Sequence, residues 1–173
     1  LKSRDPVLKQ VIEQIGIIKR AVIPDLFAAL VNSIVGQQIS TKAHQTIWQR
    51  INNSFSPITP ANFKSLSAEE LQKCGITMKK AHYIKEITRR IISDQLDLER
   101  LADLSNEEVI EQLCELPGIG RWTAEMILTF SLQRKDIISY SDLAILRGMR
   151  MVYHHRRITP QLFTKYKRRY GPY

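Results

Sequence analysis

Two features of the sequence could do chemistry: the run Leu116-Pro117-Gly118-Ile119-Gly120, followed by Arg121, and the carboxylate of Asp142. Gly118 and Gly120 can adopt positive φ without a Cβ penalty. They also leave backbone N–H groups bare at the start of the next helix. Such groups, with the helix dipole behind them, attract an anion such as a phosphate. Asp142 stands where another helix begins. A fixed carboxylate in a water-poor setting can stabilise a cation that forms during a reaction, and it can orient or deprotonate a water. Both features have plainer readings. A Pro-Gly-x-Gly turn also makes a packing corner, and Asp is a preferred N-cap that satisfies backbone N–H groups. The residues alone leave both pairs open.

The elements that must position these residues follow from periodicity and caps. Amphipathic patterns over Ser105–Glu115 and Arg121–Gln133 flank the glycine run and predict a helix–hairpin–helix. Upstream, Asp5 caps a helix that starts at Pro6, carries Leu8, Val11, Ile12 and Ile15 on one face, and stops at Gly16. A second helix opens at Pro24-Asp25. Its broad stripe of Leu26, Phe27, Leu30, Val31, Ile34 and Val35 predicts a central position, and it ends at Gly36-Gln37-Gln38. Ser40, Thr59 and Ser67 start three more helices, and Thr77 starts a long basic one. Ile137–Ser141 reads as non-helical. Asp142 then heads a helix, and Thr159-Pro160 opens the last one, rich in Lys165, Lys167, Arg168 and Arg169. No strand alternation, repeat or low-complexity segment is evident. The reading is all-α, with nine or ten helices.

Composition narrows the class. The chain has 173 residues, 43% hydrophobic and 25% charged, enough for a packed core. Lys and Arg outnumber Asp and Glu by 26 to 17, a net charge of +9 that points to a polyanionic partner. No apolar run approaches the ~18 residues that span a bilayer, so no membrane partner is expected. The polar N-terminal residues carry no signal-peptide pattern, and a cytoplasmic protein is expected, nucleoid-associated if bacterial. Cys74 and Cys114 lie far apart without metal-ligand spacing and are read as buried thiols.

The run Leu116 to Met126 (Leu-Pro-Gly-Ile-Gly-Arg-Trp-Thr-Ala-Glu-Met), followed by Asp142 to Gly148 (Asp-Leu-Ala-Ile-Leu-Arg-Gly), resembles the helix–hairpin–helix/Gly-Pro-Asp (HhH-GPD) superfamily of DNA glycosylases. Within that superfamily it is most similar to the 3-methyladenine DNA glycosylase II group. Ile34 to Ser40 (Ile-Val-Gly-Gln-Gln-Ile-Ser) resembles that group's segment entering the DNA. The likeness spans nearly the whole chain. It implies two helical lobes with an active-site cleft between them. Residues 21–136 would form the bundle ending in the hairpin, and residues 1–20 with 137–173 the second lobe, carrying Asp142 opposite Trp122.

The resemblance also implies an activity: hydrolysis of the N-glycosidic bond of alkylated purines in damaged double-stranded DNA, in base excision repair. Asp142 would stabilise an oxocarbenium-like sugar. A 3-methyladenine-type base is already cationic and leaves without a strong general acid. The base must be flipped out of the duplex. Trp122 and Met126 would line its pocket with Gln37, and Gln38 would serve as the wedge in the DNA. Gly118, Ile119, Gly120 and Arg121 would hold a phosphate, Gly118 and Gly120 through their hairpin amides. Carbonyls of Cys114, Leu116 and Gly118 would hold a monovalent cation, Na+ or K+. No other cofactor is implied, and without a four-cysteine cluster no iron–sulfur centre is expected. A monomer is expected.

Trp122 stands where lyase-active relatives carry a Schiff-base lysine, so the enzyme is expected to be monofunctional. The sequence also departs from the family. Ser139 and Ser141 stand where the family commonly has a Pro and a second acid. After Gly171-Pro172-Tyr173 the family usually continues into a closing helix with another pocket aromatic. Two other readings remain: a non-catalytic helix–hairpin–helix DNA-binding module, with no use for Asp142, and a glycosylase for a mismatched, deaminated or oxidised base.

Overall fold

The structure, a computed structural model, describes residues 1–171; Pro172 and Tyr173 lie outside the described residues. Ten α-helices follow one another among them, with no strand: α1 (Pro6–Ile15), α2 (Leu26–Gly36), α3 (Thr41–Phe55), α4 (Pro60–Lys64), α5 (Ala68–Lys73), α6 (Met78–Ile92), α7 (Asn106–Cys114), α8 (Arg121–Phe130), α9 (Leu143–Tyr153) and α10 (Pro160–Tyr170). A single 3-10 turn, Arg100–Ala102, precedes α7. No helix among the described residues is long and apolar enough to cross a membrane.

Nine of the ten described α-helices start on a side-chain cap. The caps are Asp5, Asp25, Ser40, Thr59, Ser67, Thr77, Ser105, Asp142 and Thr159, each accepting from a first-turn N–H. Ser67 with Glu70 and Ser105 with Glu108 close reciprocal capping boxes. The exception is α8, whose N-cap, Gly120, has no side chain to offer.

The chain divides into two compact units. The first in size, Ile23–Leu132, is built on α2. Phe27, Ala28, Ala29, Leu30, Val31, Ile34 and Val35 of that helix are all buried, and α3, α6 and α8 pack around it. Phe63 of α4 completes the core edge-on to Phe27, with ring centroids 5.3 Å apart, and to Phe55 at 6.0 Å. Each fully buried side chain of this size contributes about 1.5–3 kcal/mol.

The second unit combines Leu1–Val22 with the chain from Gln133 onward. Its core is Met149, Ile158, Phe163 and Tyr166, flanked by Ile138, Ile145, Leu146 and Leu162. Here α1 packs on α9. The predicted apolar face of α1 is only half-buried at Leu8, Val11 and Ile12, and Ile15 is exposed. Polar contacts hold the N-terminal segment instead. The buried Asp5 carboxylate accepts from the Leu8 N–H at 3.0 Å, the Tyr153 hydroxyl at 2.7 Å and the Arg169 guanidinium at 2.9 Å.

Candidate active site

The hairpin is built by α7, a tight turn and α8. Leu116 and Ile119 are buried and pin the turn to the core, so Ile119 leaves only its backbone to a ligand. The Ile119 N–H donates to the Leu116 carbonyl at 3.1 Å. Gly118 has φ +81, a conformation that L side chains rarely adopt, and its Cα lies against the Tyr83 ring: a Cβ there would meet Cδ2 at 2.4 Å. Gly120 differs. Its φ is −98, extended backbone, and nothing stands within 4 Å of where its Cβ would be. Gly118 is therefore required by geometry, whereas Gly120 keeps the start of α8 bare.

Arg121, the first residue of α8, turns its guanidinium onto acids. It bonds both carboxylate oxygens of Glu107, at 2.7 and 2.9 Å, and Oε1 of Glu125 at 3.2 Å. Its charge is thus already engaged by carboxylates of α7 and α8. Glu125 is buried, and its other oxygen, Oε2, has no hydrogen-bond partner in the structure. Trp122 is 46% exposed, and Met126, one turn on along the same face, is half-buried.

Gln37 and Gln38 follow the end of α2. The half-buried Gln37 donates from Nε2 to the Gly118 carbonyl at 2.7 Å, which ties this loop to the hairpin. Gln38 is exposed and has φ +57, a left-handed backbone for a non-glycine residue. Lys80 of α6 sets this turn: its ammonium donates to the Val35 carbonyl at 2.9 Å and the Gln37 carbonyl at 2.7 Å. Burial lowers the Lys80 pKa from the ordinary lysine value. Lys80 and Tyr83 were not legible as site residues, because each acts on a backbone distant in sequence. A helix carrying Lys and Tyr three positions apart is no signal by itself.

In the second unit, Asp142 caps α9 and is half-buried. Its Oδ1 accepts from the Ala144 N–H at 2.8 Å and the Ile145 N–H at 3.1 Å, so the carboxylate is fixed at a helix N-terminus. The turn ahead of it is braced by its serines. Ser139 is fully buried, and its hydroxyl shares a 2.9 Å hydrogen bond with that of Ser141. The intervening Tyr140 packs edge-on against Phe163 at 5.1 Å and donates its hydroxyl to the Ile158 carbonyl at 3.3 Å. Ser139 and Ser141 thus brace a defined turn ahead of Asp142.

One expectation is corrected. Cys74 is buried, but Cys114 is exposed, because α7 turns its last residue to solvent while Leu113 takes the core position beside it. Partial desolvation at the helix end still raises the Cys114 thiol from its ordinary value.

Comparison with known proteins identifies the family. Residues 31–171 match the HhH-GPD superfamily base excision DNA repair protein family. The chain is 34% identical over 141 residues to DNA-3-methyladenine glycosylase 1 of Schizosaccharomyces pombe, covering 79% of this chain and 62% of the relative. It is 33% identical over 134 residues to DNA-3-methyladenine glycosylase of Saccharomyces cerevisiae, covering 72% of this chain and 45% of the relative. It thus spans 45% to 62% of the length of these curated relatives. Among solved structures, a DNA-3-methyladenine glycosidase of Bacillus halodurans superposes with TM-score 0.85 at 32% identity, covering 99% of this chain and 81% of the other. The 3-methyladenine DNA glycosylase of S. pombe, solved with abasic DNA, gives TM-score 0.82 at 29% identity, covering 98% and 86%.

Proposed function

Because the chain belongs to the HhH-GPD superfamily of base excision DNA repair proteins, we propose that it is a monofunctional DNA glycosylase that hydrolyses the N-glycosidic bond of alkylated purines, 3-methyladenine among them, in duplex DNA. The observation that carries this reading is Asp142: a carboxylate held by two amides at a helix N-terminus, which supports the catalytic role that the resemblance implies for it.

Departure of the base leaves the deoxyribose positively charged. The fixed charge of Asp142 stabilises that cation without reorganising, usually the largest single term in such catalysis. It also orients the water that completes hydrolysis. Trp122 and Met126 line the base pocket with Gln37. The face of Trp122 favours a cationic alkylated base by about 0.5–2 kcal/mol. Gln38 fills the space left by the flipped nucleotide, an event that costs a few kcal/mol.

The start of α8 grips a phosphate through the backbone of Gly118, Ile119, Gly120 and Arg121, and its lack of a side-chain cap supports that role. The carbonyls of Cys114, Leu116 and Gly118 suit a hard monovalent cation, Na+ or K+. The Leu116 oxygen accepts the Ile119 N–H and the Gly118 oxygen the Gln37 amide, and each carbonyl keeps a second lone pair. Bound there, such an ion would offset phosphate charge.

Trp122 has no amine to form a Schiff base, so the product is an abasic site in an unbroken strand. The test is release of 3-methyladenine from methylated duplex by the wild type and Asp142→Asn. Wild-type release lost about 10²–10³-fold in the variant is expected. Equal release by both overturns the role of Asp142, and no release by the wild type overturns the activity. A borohydride-trapped adduct with abasic DNA would overturn the monofunctional assignment.

A further inference from the structure

The net charge is divided unevenly between the two units. The hairpin-bearing unit, Ile23–Leu132, has 11 Lys and Arg against 13 Asp and Glu, a net −2. The other unit has 15 against four, a net +11. Between Leu143 and Tyr173 there is no Asp or Glu, and eight of the 26 Lys and Arg lie there. Arg169 is turned inward onto Asp5. The other seven are exposed.

α9 arranges part of this charge on one stripe. Leu143, Arg147, Arg150 and Met151, at i, i+4, i+7 and i+8, share a face opposite Ile145, Leu146 and Met149, which pack into the core. Both arginines are exposed, and Leu143 and Met151 are 80% and 70% exposed. α10 adds exposed Lys165, Lys167 and Arg168.

We infer that the outer face of α9 and α10 is a DNA-backbone contact surface, and that it supplies most of the salt-dependent affinity for duplex. This rests on the reading of the chain as a DNA-acting enzyme. Helix N-terminal dipoles act like about half a charge and fade within the first turn, so the hairpin holds a phosphate only at contact. A unit of net −2 does not draw a polyanion from a distance, whereas one of net +11 does. Each cation placed on a phosphate releases counterions and steepens the fall of affinity with salt by about 0.9 in log–log slope. The exposed apolar Leu143 and Met151 suit the deoxyribose faces between phosphates.

The experiment measures binding of the full chain to undamaged duplex across about 50–200 mM salt. The triple variant Arg147→Gln/Arg150→Gln/Lys167→Gln is compared with Lys42→Gln/Lys64→Gln/Lys73→Gln, which removes the same charge from the hairpin unit. The first is expected to flatten the slope by about two to three and the second by less than one. In the wild type, duplex should slow acetylation of Lys165 and Lys167 several-fold. An unchanged slope in the first variant, an equal loss in both, or acetylation unaffected by duplex overturns the inference. Base release by the wild type separates the two claims. If release is seen while these results fail, only the contact surface is wrong; if release and duplex binding are both absent, the enzymatic reading falls as well.

Discussion

The Gln37 side-chain amide donates to the Gly118 carbonyl across 2.7 Å, joining the loop after α2 to the hairpin turn from 81 residues away in sequence. One hydrogen bond of this kind contributes about 0.5–1.5 kcal/mol net. Gln37→Ala should lower stability by about that much, yet slow single-turnover base release by about 10- to 100-fold, because displacement by about 1 Å is enough to do so. Gln37→Glu should be worse, since a carboxylate there faces a carbonyl oxygen instead of donating to it. Melting curves and single-turnover release check both. A Glu variant as active as wild type would refute the coupling.

The two hairpin glycines should respond differently. Gly118→Ala combines a positive φ with a clash on the Tyr83 ring and should cost about 1–3 kcal/mol. Gly120→Ala has open space and extended backbone, so its stability should stay within about 1 kcal/mol of wild type. If phosphate approaches α8 here, the same methyl should still weaken DNA binding. Thermal melts and duplex titration of the two variants read the difference.

Trp122→Ala should discriminate by charge. Loss of about 0.5–2 kcal/mol of cation–π attraction lowers release of cationic 3-methyladenine or 7-methylguanine by about 2- to 30-fold. Release of a neutral base such as hypoxanthine should fall less. Equal losses would mean that the ring acts by shape alone.

Acid should loosen the second unit through Asp5. Burial alone would raise this carboxyl, but the Leu8 N–H, Arg169 and Tyr153 outweigh it and hold the pKa below its ordinary 3.8. The folded value is therefore the lower one. The stabilisation is complete above about pH 4 and is lost as pH falls through the folded value. Asp5→Asn should be less stable at neutral pH and should show a shallower decline below about pH 4. Melts of the two proteins across that range test this, and parallel declines would contradict it.

The caps explain why so much of the fold could be read from the chain. Asp5, Ser40, Thr59, Ser67, Ser105 and Thr159 each act on the N–H three residues away, so the relevant physics is local. Asp142 as a cap was equally legible. Helix ends were less so: α8 stops at Phe130, and Gln133, read as helical, has a left-handed φ of 55. Long-range contacts were not legible. Lys80 on the Gln37 carbonyl and the Tyr83 ring on Gly118 depend on how α2, α6 and the hairpin meet. The engagement of Arg121 by Glu107 was likewise invisible, because the two residues lie 14 apart on different helices and meet only in the folded hairpin.

The left-handed backbone of Gln38 has a bearing on timing. A non-glycine residue in that conformation carries about 1 kcal/mol of strain, and Lys80, gripping the carbonyls just before it, holds the bend against relaxation. That penalty is met when the chain first folds. In the wedge role proposed for Gln38, the glutamine tip would meet a passing duplex already shaped, with little ordering left to do at the moment of encounter.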